Sequence, residues 1–429
     1  MKPDEAAVEF LEADITYGGK PDRLYLALIL RPEWDAPNAC RLFFRSEMEE
    51  LGYPAGKSVS ELLSKAEWQN KIYSDSKLGR LVWGELLKNI GGATHVYFAP
   101  IGVFYQWGIE YMPIADDGTR ISDKLNVSRL SSTKMLAQRS TSPDTFGNGE
   151  AIIFGGLEYE EMTVAQMREY HDMGDDEVVD DDEDFLAMYA AEQEMADSAA
   201  ILAMAERGDL VKNLPGAKEE ANAIERLLYN AGKKFTSYKD FSGTEESFKR
   251  LNGHNISLLH IATHGFSYPA ESSSRHDWLK TSTTSNAMPT DPLCYSGLLF
   301  SGCNNKLQHP KDFPTDIDDG ILTAHEIAQL NLQDLQLTVL SACQTGTGML
   351  REDGVFGVQR GFKKAGAHTL VMSLWSVNDA ATQLMMTSFY EALLSGQSRH
   401  EAFMKAQAKV RATYPDPHFW APFIMLDDI

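Results

Sequence analysis

Two short apolar runs, each closing on a reactive side chain, constrain this chain more than any other feature. The first is Ser257-Leu-Leu-His-Ile-Ala262, followed by Thr263-His264-Gly265. The second is Leu337-Thr-Val-Leu-Ser341, followed by Ala342-Cys343-Gln344-Thr345-Gly346. Runs this short, rich in branched apolar residues and bounded by small ones, predict buried strands of a parallel sheet. In open α/β sheets, functional groups collect at the carboxyl ends of the strands. One such end presents an imidazole and the next a thiol, the two parts of a cysteine nucleophile and its base.

The chemistry follows from the residue types. A thiol becomes a good nucleophile only as the thiolate, which needs a neighbouring base. His264 can take the proton of Cys343 and return it to a leaving amine. The backbone N–H groups of Gly265 and Cys343 are suited to an oxyanion, and Gly265 has no side chain to block a substrate carbonyl. No third carboxylate stands out, so a backbone carbonyl is expected to orient the imidazole. His260 falls inside the strand and reads as a core histidine. His254, His276, His309 and His325 lack a strand-end setting. Cys294 and Cys303 read as packing or loop cysteines.

Elements on both sides of these runs give an alternating α/β chain. Leu24–Leu30, Arg41–Phe44 and His95–Ala99 read as strands of an α/β unit spanning 1–145, with helical spacing between Val59 and Ile90. The turn-forming stretch Ser140–Gly149 makes a joint. Residues 146–429 then form a second domain opening on the strand Ala151–Phe154. Between Asp172 and Asp184 carboxylates are so dense that they repel one another, which predicts a solvated insertion at about 160–210. Its candidate roles are a passive surface segment, a lid, a docking site for a basic partner, or a segment cut on activation. Helices are expected over Ala217–Asn230, Thr323–Leu330, Gly354–Ala365, Ala380–Leu394 and Glu401–Thr413, with an N-cap at Thr244. Ser296–Ser301 reads as an edge strand, Thr369–Leu374 as a sheet strand, and Phe423–Leu426 as the last one. Strands alternating with helices predict a mostly parallel sheet covered on both faces.

A family resemblance rests on motifs in the same order along residues 150–429. These are His264-Gly265, Ser296-Gly-Leu-Leu-Phe300, Asp319-Gly-Ile-Leu-Thr-Ala324, Leu340-Ser-Ala-Cys-Gln-Thr-Gly346, Asp353-Gly-Val-Phe-Gly-Val358, Ala365-Gly-Ala367 and Ser373-Leu-Trp-Ser-Val-Asn-Asp379. Together they resemble the CHAT-domain cysteine peptidases of the caspase/separase-like clan. The resemblance implies a caspase-like three-layer α/β/α domain with a Cys343–His264 dyad, preceded by an inert pseudo-protease half that acts as a scaffold. It implies a P1 pocket at the ends of the first sheet strand, the strand before the cysteine and the strand after it. These positions bring Glu158, Ser341, Trp375 and Asp379. No Arg or Lys stands there to partner an acidic P1 side chain. Asp379 matches an aspartate by which separase-like relatives recognise basic residues, so cleavage after Arg or Lys is expected; its other reading is a cap for the helix beginning at Ala380. The implied function is a regulated endopeptidase acting on specific protein partners in bacterial signalling, defence or cell death. Two other readings remain open: a catalytically silent scaffold binding partner proteins, and another cysteine hydrolase or transferase on an α/β sheet.

Composition narrows the partners. A net charge of −23 argues against direct contact with nucleic acid or an anionic membrane. No apolar run reaches the roughly 18 residues that span a bilayer, and Met1-Lys-Pro-Asp-Glu5 has no leader-like apolar core. Four cysteines in 429 residues make neither a disulfide framework nor a zinc site, so a reducing, cytoplasmic compartment is expected. No cofactor or metal is called for. The expected partners are a protein or peptide substrate and an upstream helical-repeat sensor region or regulatory protein. Such repeats, frequent ahead of this family's domain, are absent from this chain, which points to a piece of a longer protein.

Overall fold

The computed structural model describes residues 1–53, 65–138, 146–147, 149–172, 210–267, 291–309, 313–314, 317–341, 349–351 and 354–427. Its strands are β1 (Glu5–Tyr17), β2 (Lys20–Leu30), β3 (Asn38–Phe44), β4 (His95–Ala99), β5 (Asn126–Arg129), β6 (Glu150–Leu157), β7 (Phe235–Asp240) and β8 (Ile256–Ala262). They continue with β9 (Gly265–Ser267), β10 (Ser296–Leu299), β11 (Ile321–Thr323), β12 (Leu337–Leu340), β13 (Met349–Arg351), β14 (Gly354–Phe356), β15 (Thr369–Ser373) and β16 (Phe423–Leu426). Eleven of these form one sheet in the order β3-β2-β1-β4-β5-β16-β15-β12-β8-β6-β7. Seven of its ten pairings are parallel, so the expected mixed α/β architecture with a mostly parallel sheet is what the chain adopts. The five strands of residues 1–145 and six of those that follow lie in this one sheet, joined where β16 pairs parallel with β5 on one side and antiparallel with β15 on the other.

Strand alternation explains the layers. Phe154 and Gly155 are consecutive in β6 and therefore point to opposite faces. Phe154 packs among Phe248 and Phe300, at ring distances of 5.9 and 5.4 Å, and Phe248 meets Phe362 of the helix Val358–Ala365 at 6.1 Å. Gly155 lies against Ala217 and Ala221 of the helix Pro215–Asn230; a Cβ there would come within 2.8 Å of the Ala221 methyl. On that second face His260 of β8 also meets Tyr390 of the helix Asp379–Leu394. Helices thus cover both faces, and the buried residues form one continuous core with a small satellite around Met162 and Phe313.

Several local expectations change. The strand β1, where no element is expected from the sequence, forms although its alanines and glutamates are poor strand formers, because it pairs with β2 on one side and β4 on the other. Within Val59–Ile90 the described residues form two helices, Ala66–Ser74 and Ser76–Asn89, split at Asp75. Asp75 is extended and caps the second helix by accepting from the Lys77 amide at 2.9 Å. The stretch expected to be helical from Gly354 begins as β14, paired antiparallel with β13, and turns helical only at Val358. β10 is not an edge strand: it is the middle of a separate three-stranded sheet, β11-β10-β9. Thr244 caps its helix as expected, accepting from the Ser247 amide at 3.1 Å. The acidic segment 173–209 and His276 lie outside the described residues. Among the described residues no helix is long and apolar enough to cross a membrane.

Candidate active site

β8 and β12 are neighbours and parallel, so both organising runs end at the same edge of the sheet. The Ser341 amide donates to the Ile261 carbonyl at 2.8 Å, which fixes the exit of β12 beside that of β8. His264 stands two residues past β8. Cys343, two residues past Ser341, lies outside the described residues, as does its backbone N–H.

The surroundings of His264 are built from backbone and neutral groups. Its Nε2 is 2.8 Å from the carbonyl oxygen of Lys212. A carbonyl can only accept, so the proton sits on Nε2 and Nδ1 keeps its lone pair. The ring of Tyr159 packs edge-on against the imidazole at 5.1 Å. Burial pushes the His264 pKa below its ordinary value, and the Lys212 carbonyl opposes this more weakly. The imidazole is therefore held neutral, in one tautomer and half-buried, the state a general base requires. Leu299 braces the same turn twice. Its amide donates to the His264 carbonyl at 2.9 Å, and its own carbonyl accepts from the Thr263 hydroxyl. Thr263 in turn shares a 2.6 Å hydrogen bond with the Tyr159 hydroxyl. Gly265 follows at once as the first residue of β9, paired with Leu298.

Lys212 is held in place by two asparagines. Buried Asn304 bonds both sides of Val211: its Oδ1 accepts from the Val211 amide at 3.0 Å, and its Nδ2 donates to the Val211 carbonyl at 2.9 Å. On the other side Asn213 accepts from the Tyr159 amide at 3.2 Å and donates to the Glu158 carboxylate. The strap 211–213 is thus anchored before and after the carbonyl that meets His264.

A pocket of about 80 Å³ opens at the carboxyl ends of β8, β12 and β15. It is lined by Thr263, Ser341, Ser373, Asp379 and residues of the helix Pro215–Asn230, Glu220 included. The structure therefore brings together Ser341 and Asp379. The other two residues expected there lie elsewhere. Glu158 is tied to Asn213, and Trp375 is 3% exposed, its indole N–H donating to the His418 carbonyl at 3.1 Å and its ring packed on Tyr73. Asn378, not Asp379, caps the helix Asp379–Leu394, accepting from the Ala380 amide at 2.9 Å. Asp379 is exposed in the first turn, its carboxylate against Gly216; a Cβ on Gly216 would come within 2.5 Å of it.

The sequence matches the CHAT domain over residues 76–428, well over half of its length. The chain belongs to the CHAT family. Within a 108-residue stretch, 25% of this CHAT protein, it is 32% identical to tetratricopeptide repeat protein 28 of Homo sapiens and of Mus musculus. That stretch is 4% of either relative, so the shared part is a small fraction of those proteins. Among solved structures the CHAT chain is similar to gingipain R, described as an Arg-specific cysteine proteinase, at 10% identity and a TM-score of 0.44, covering 86% of this chain and 74% of that one. A complex of pro- and mature domains of the Porphyromonas gingivalis enzyme gives 10% identity and a TM-score of 0.38, covering 87% and 71%. At these scores neither likeness bears on the reaction.

Sequence reasoning missed Lys212, Asn213, Asn304, Tyr159 and Glu220. Four of them act through backbone groups or through packing that no residue pattern marks. Glu220 did leave a signal: it shares a helical face with Ala217, Ala221, Ile224 and Leu228, and a carboxylate inside an apolar stripe needs a reason. Two of the other histidines have side-chain partners. His260 is buried against Tyr390, with Nδ1 3.2 Å from the phenol oxygen, and His325 is 2.9 Å from the Asp291 carboxylate. Cys294 and Cys303 are buried, as is Cys40.

Proposed function

We propose that this CHAT protein is a cysteine endopeptidase working with a Cys343–His264 dyad, cleaving specific protein partners after Arg or Lys. The observation that carries this reading is the imidazole itself: neutral, with Nε2 anchored on the Lys212 carbonyl, at the end of a strand whose parallel neighbour leads to Cys343. Nδ1 takes the thiol proton as sulfur attacks the peptide carbonyl carbon. The N–H groups of Gly265 and Cys343 stabilise the resulting oxyanion. His264 then protonates the leaving amine, the C–N bond breaks, and water activated by the same imidazole hydrolyses the thioester.

The pocket at the carboxyl ends of β8 and β12 supports the basic P1 preference. Among the described residues Ser341 and Asp379 line it and no Arg or Lys does, so an acidic side chain would find no cationic partner among them. In this reading residues 1–145 are an inert scaffold half and 146–429 the catalytic one. A content of four cysteines in 429 residues suits a reducing compartment such as the cytoplasm. The short likeness to tetratricopeptide repeat proteins suits control by a helical-repeat region or partner, and bacterial signalling or defence is the role such control would serve.

Labelling with a thiol-reactive peptide ketone carrying Arg at P1 tests the reaction. Label should enter the wild type and vanish in Cys343→Ala and His264→Ala. A chain that takes no label and cuts no peptide is the partner-binding scaffold instead. Peptides differing only at P1 test the preference, and faster cleavage after Asp or Leu than after Arg or Lys ends it.

A further inference from the structure

Glu220 is the least expected group at the pocket. The helix Pro215–Asn230 turns Ala221, Ile224 and Leu228 onto the sheet, and Glu220 lies with them, 4% exposed. Its Oε1 comes within 2.9 Å of Nε2 of His260, which is itself fully buried in β8. The approach is badly directed, and both atoms are left without a hydrogen bond. A buried carboxylate in this state has given up its water and received little in return. Yet it lines the pocket that Ser341 and Asp379 also line, Asp379 from the neighbouring helix Asp379–Leu394. One turn before Glu220, Gly216 leaves the space into which the Asp379 carboxylate fits.

We propose that Glu220 is a specificity-determining residue of this pocket and that it selects arginine over lysine. The proposal rests on the reading of the pocket as the one that receives P1. A guanidinium is planar and carries five N–H donors, so it can serve two carboxylates on separate helices and the hydroxyl of Ser341 at once. An ammonium is a compact charge with three donors and reaches one wall at a time. Glu220 gains from the guest the directed hydrogen bonds that His260 does not supply. His260, backed by Tyr390, limits how far the carboxylate can turn away.

Two measurements on the full chain test this separately. With fluorogenic peptides differing only at P1, the wild type should favour Arg over Lys by at least tenfold in kcat/KM, and Glu220→Gln should bring that ratio near one. Asp379→Asn should lower both relative to Leu. Glu220→Asp, which keeps the charge but withdraws it by one methylene, should give an intermediate ratio and serves if the glutamine variant does not fold. An Arg-to-Lys ratio unchanged within twofold in both Glu220 variants overturns the assignment. In the Cys343→Ala background, where no peptide is turned over, agmatine should raise the melting temperature more than cadaverine does, and Glu220→Gln should erase the difference. No difference in the parent overturns the role of Glu220. A wild type that cuts no peptide while the Cys343→Ala chain still prefers agmatine overturns the peptidase reading alone.

Discussion

Replacing Asn304 with alanine should cripple the base without touching it. The Asn304 side chain is buried and makes two hydrogen bonds to Val211, at 3.0 and 2.9 Å, that hold the strap carrying the Lys212 carbonyl. A net contribution of about 0.5–1.5 kcal/mol each gives roughly 1–3 kcal/mol of lost anchoring. Asn213 still ties the far end, so the strap should detach part of the time and the fold should persist. When it detaches, Nε2 loses its acceptor and the imidazole loses both its fixed tautomer and its aim. If that free energy appears wholly in the transition state, kcat/KM falls by about fivefold to 150-fold. Asn304→Asp keeps the acceptor for the Val211 amide but loses the donor to its carbonyl, and should fall between. The assay is kcat/KM on an Arg-P1 peptide beside the thermal midpoint of each variant. A loss of activity with a midpoint shifted by only a few degrees is the expected result. If Asn304→Ala keeps kcat/KM within twofold of the wild type while folded, the orientation of His264 does not depend on this strap and the argument fails.

Three further expectations concern charge. The acid limb of kcat/KM should lie below the ordinary imidazole value of 6.5, because burial disfavours the protonated form of His264; a limb at or above that value contradicts the burial. Arg129 and Glu110 form a bidentate pair, at 2.9 and 2.6 Å and with side chains 2% and 5% exposed, beside the β5–β16 junction. Glu110→Leu, which leaves the guanidinium buried and unpaired, should cost about 3–5 kcal/mol in urea unfolding, and adding Arg129→Met should recover most of it. Burial raises the Asp319 pKa from 3.8 to about 7. Between those values the folded chain holds a proton that the unfolded chain has released, so this group's stabilisation is full at acid pH and lost as pH rises through about 7. Asp319→Asn, which can still accept from the Ile321 amide, should therefore raise the melting temperature more at pH 8 than at pH 5; an equal change at both refutes the shift.

The strands that lead to the candidate dyad were legible because they are short local patterns. A short run rich in branched apolar residues and bounded by small ones points to a buried strand, so β8 and β12 could be named from their own neighbourhoods. The local cap at Thr244 was equally plain, since it needs only an amide three residues on. What the sequence left open was everything decided across the chain. Any residue offers the same carbonyl, so nothing in the letters marks Lys212, 52 residues before His264, as the one that meets its ring. Glu220 and Asp379 share a pocket only because their two helices pack on one face of the sheet, and Trp375 leaves it because its indole packs inward against Tyr73. The single eleven-stranded sheet depends on β16, whose four residues reach β5 and β15 together. Local sequence fixes which groups exist and what each can do; their pairing depends on non-local contacts, whose energies belong to the whole packed chain and not to any stretch of it.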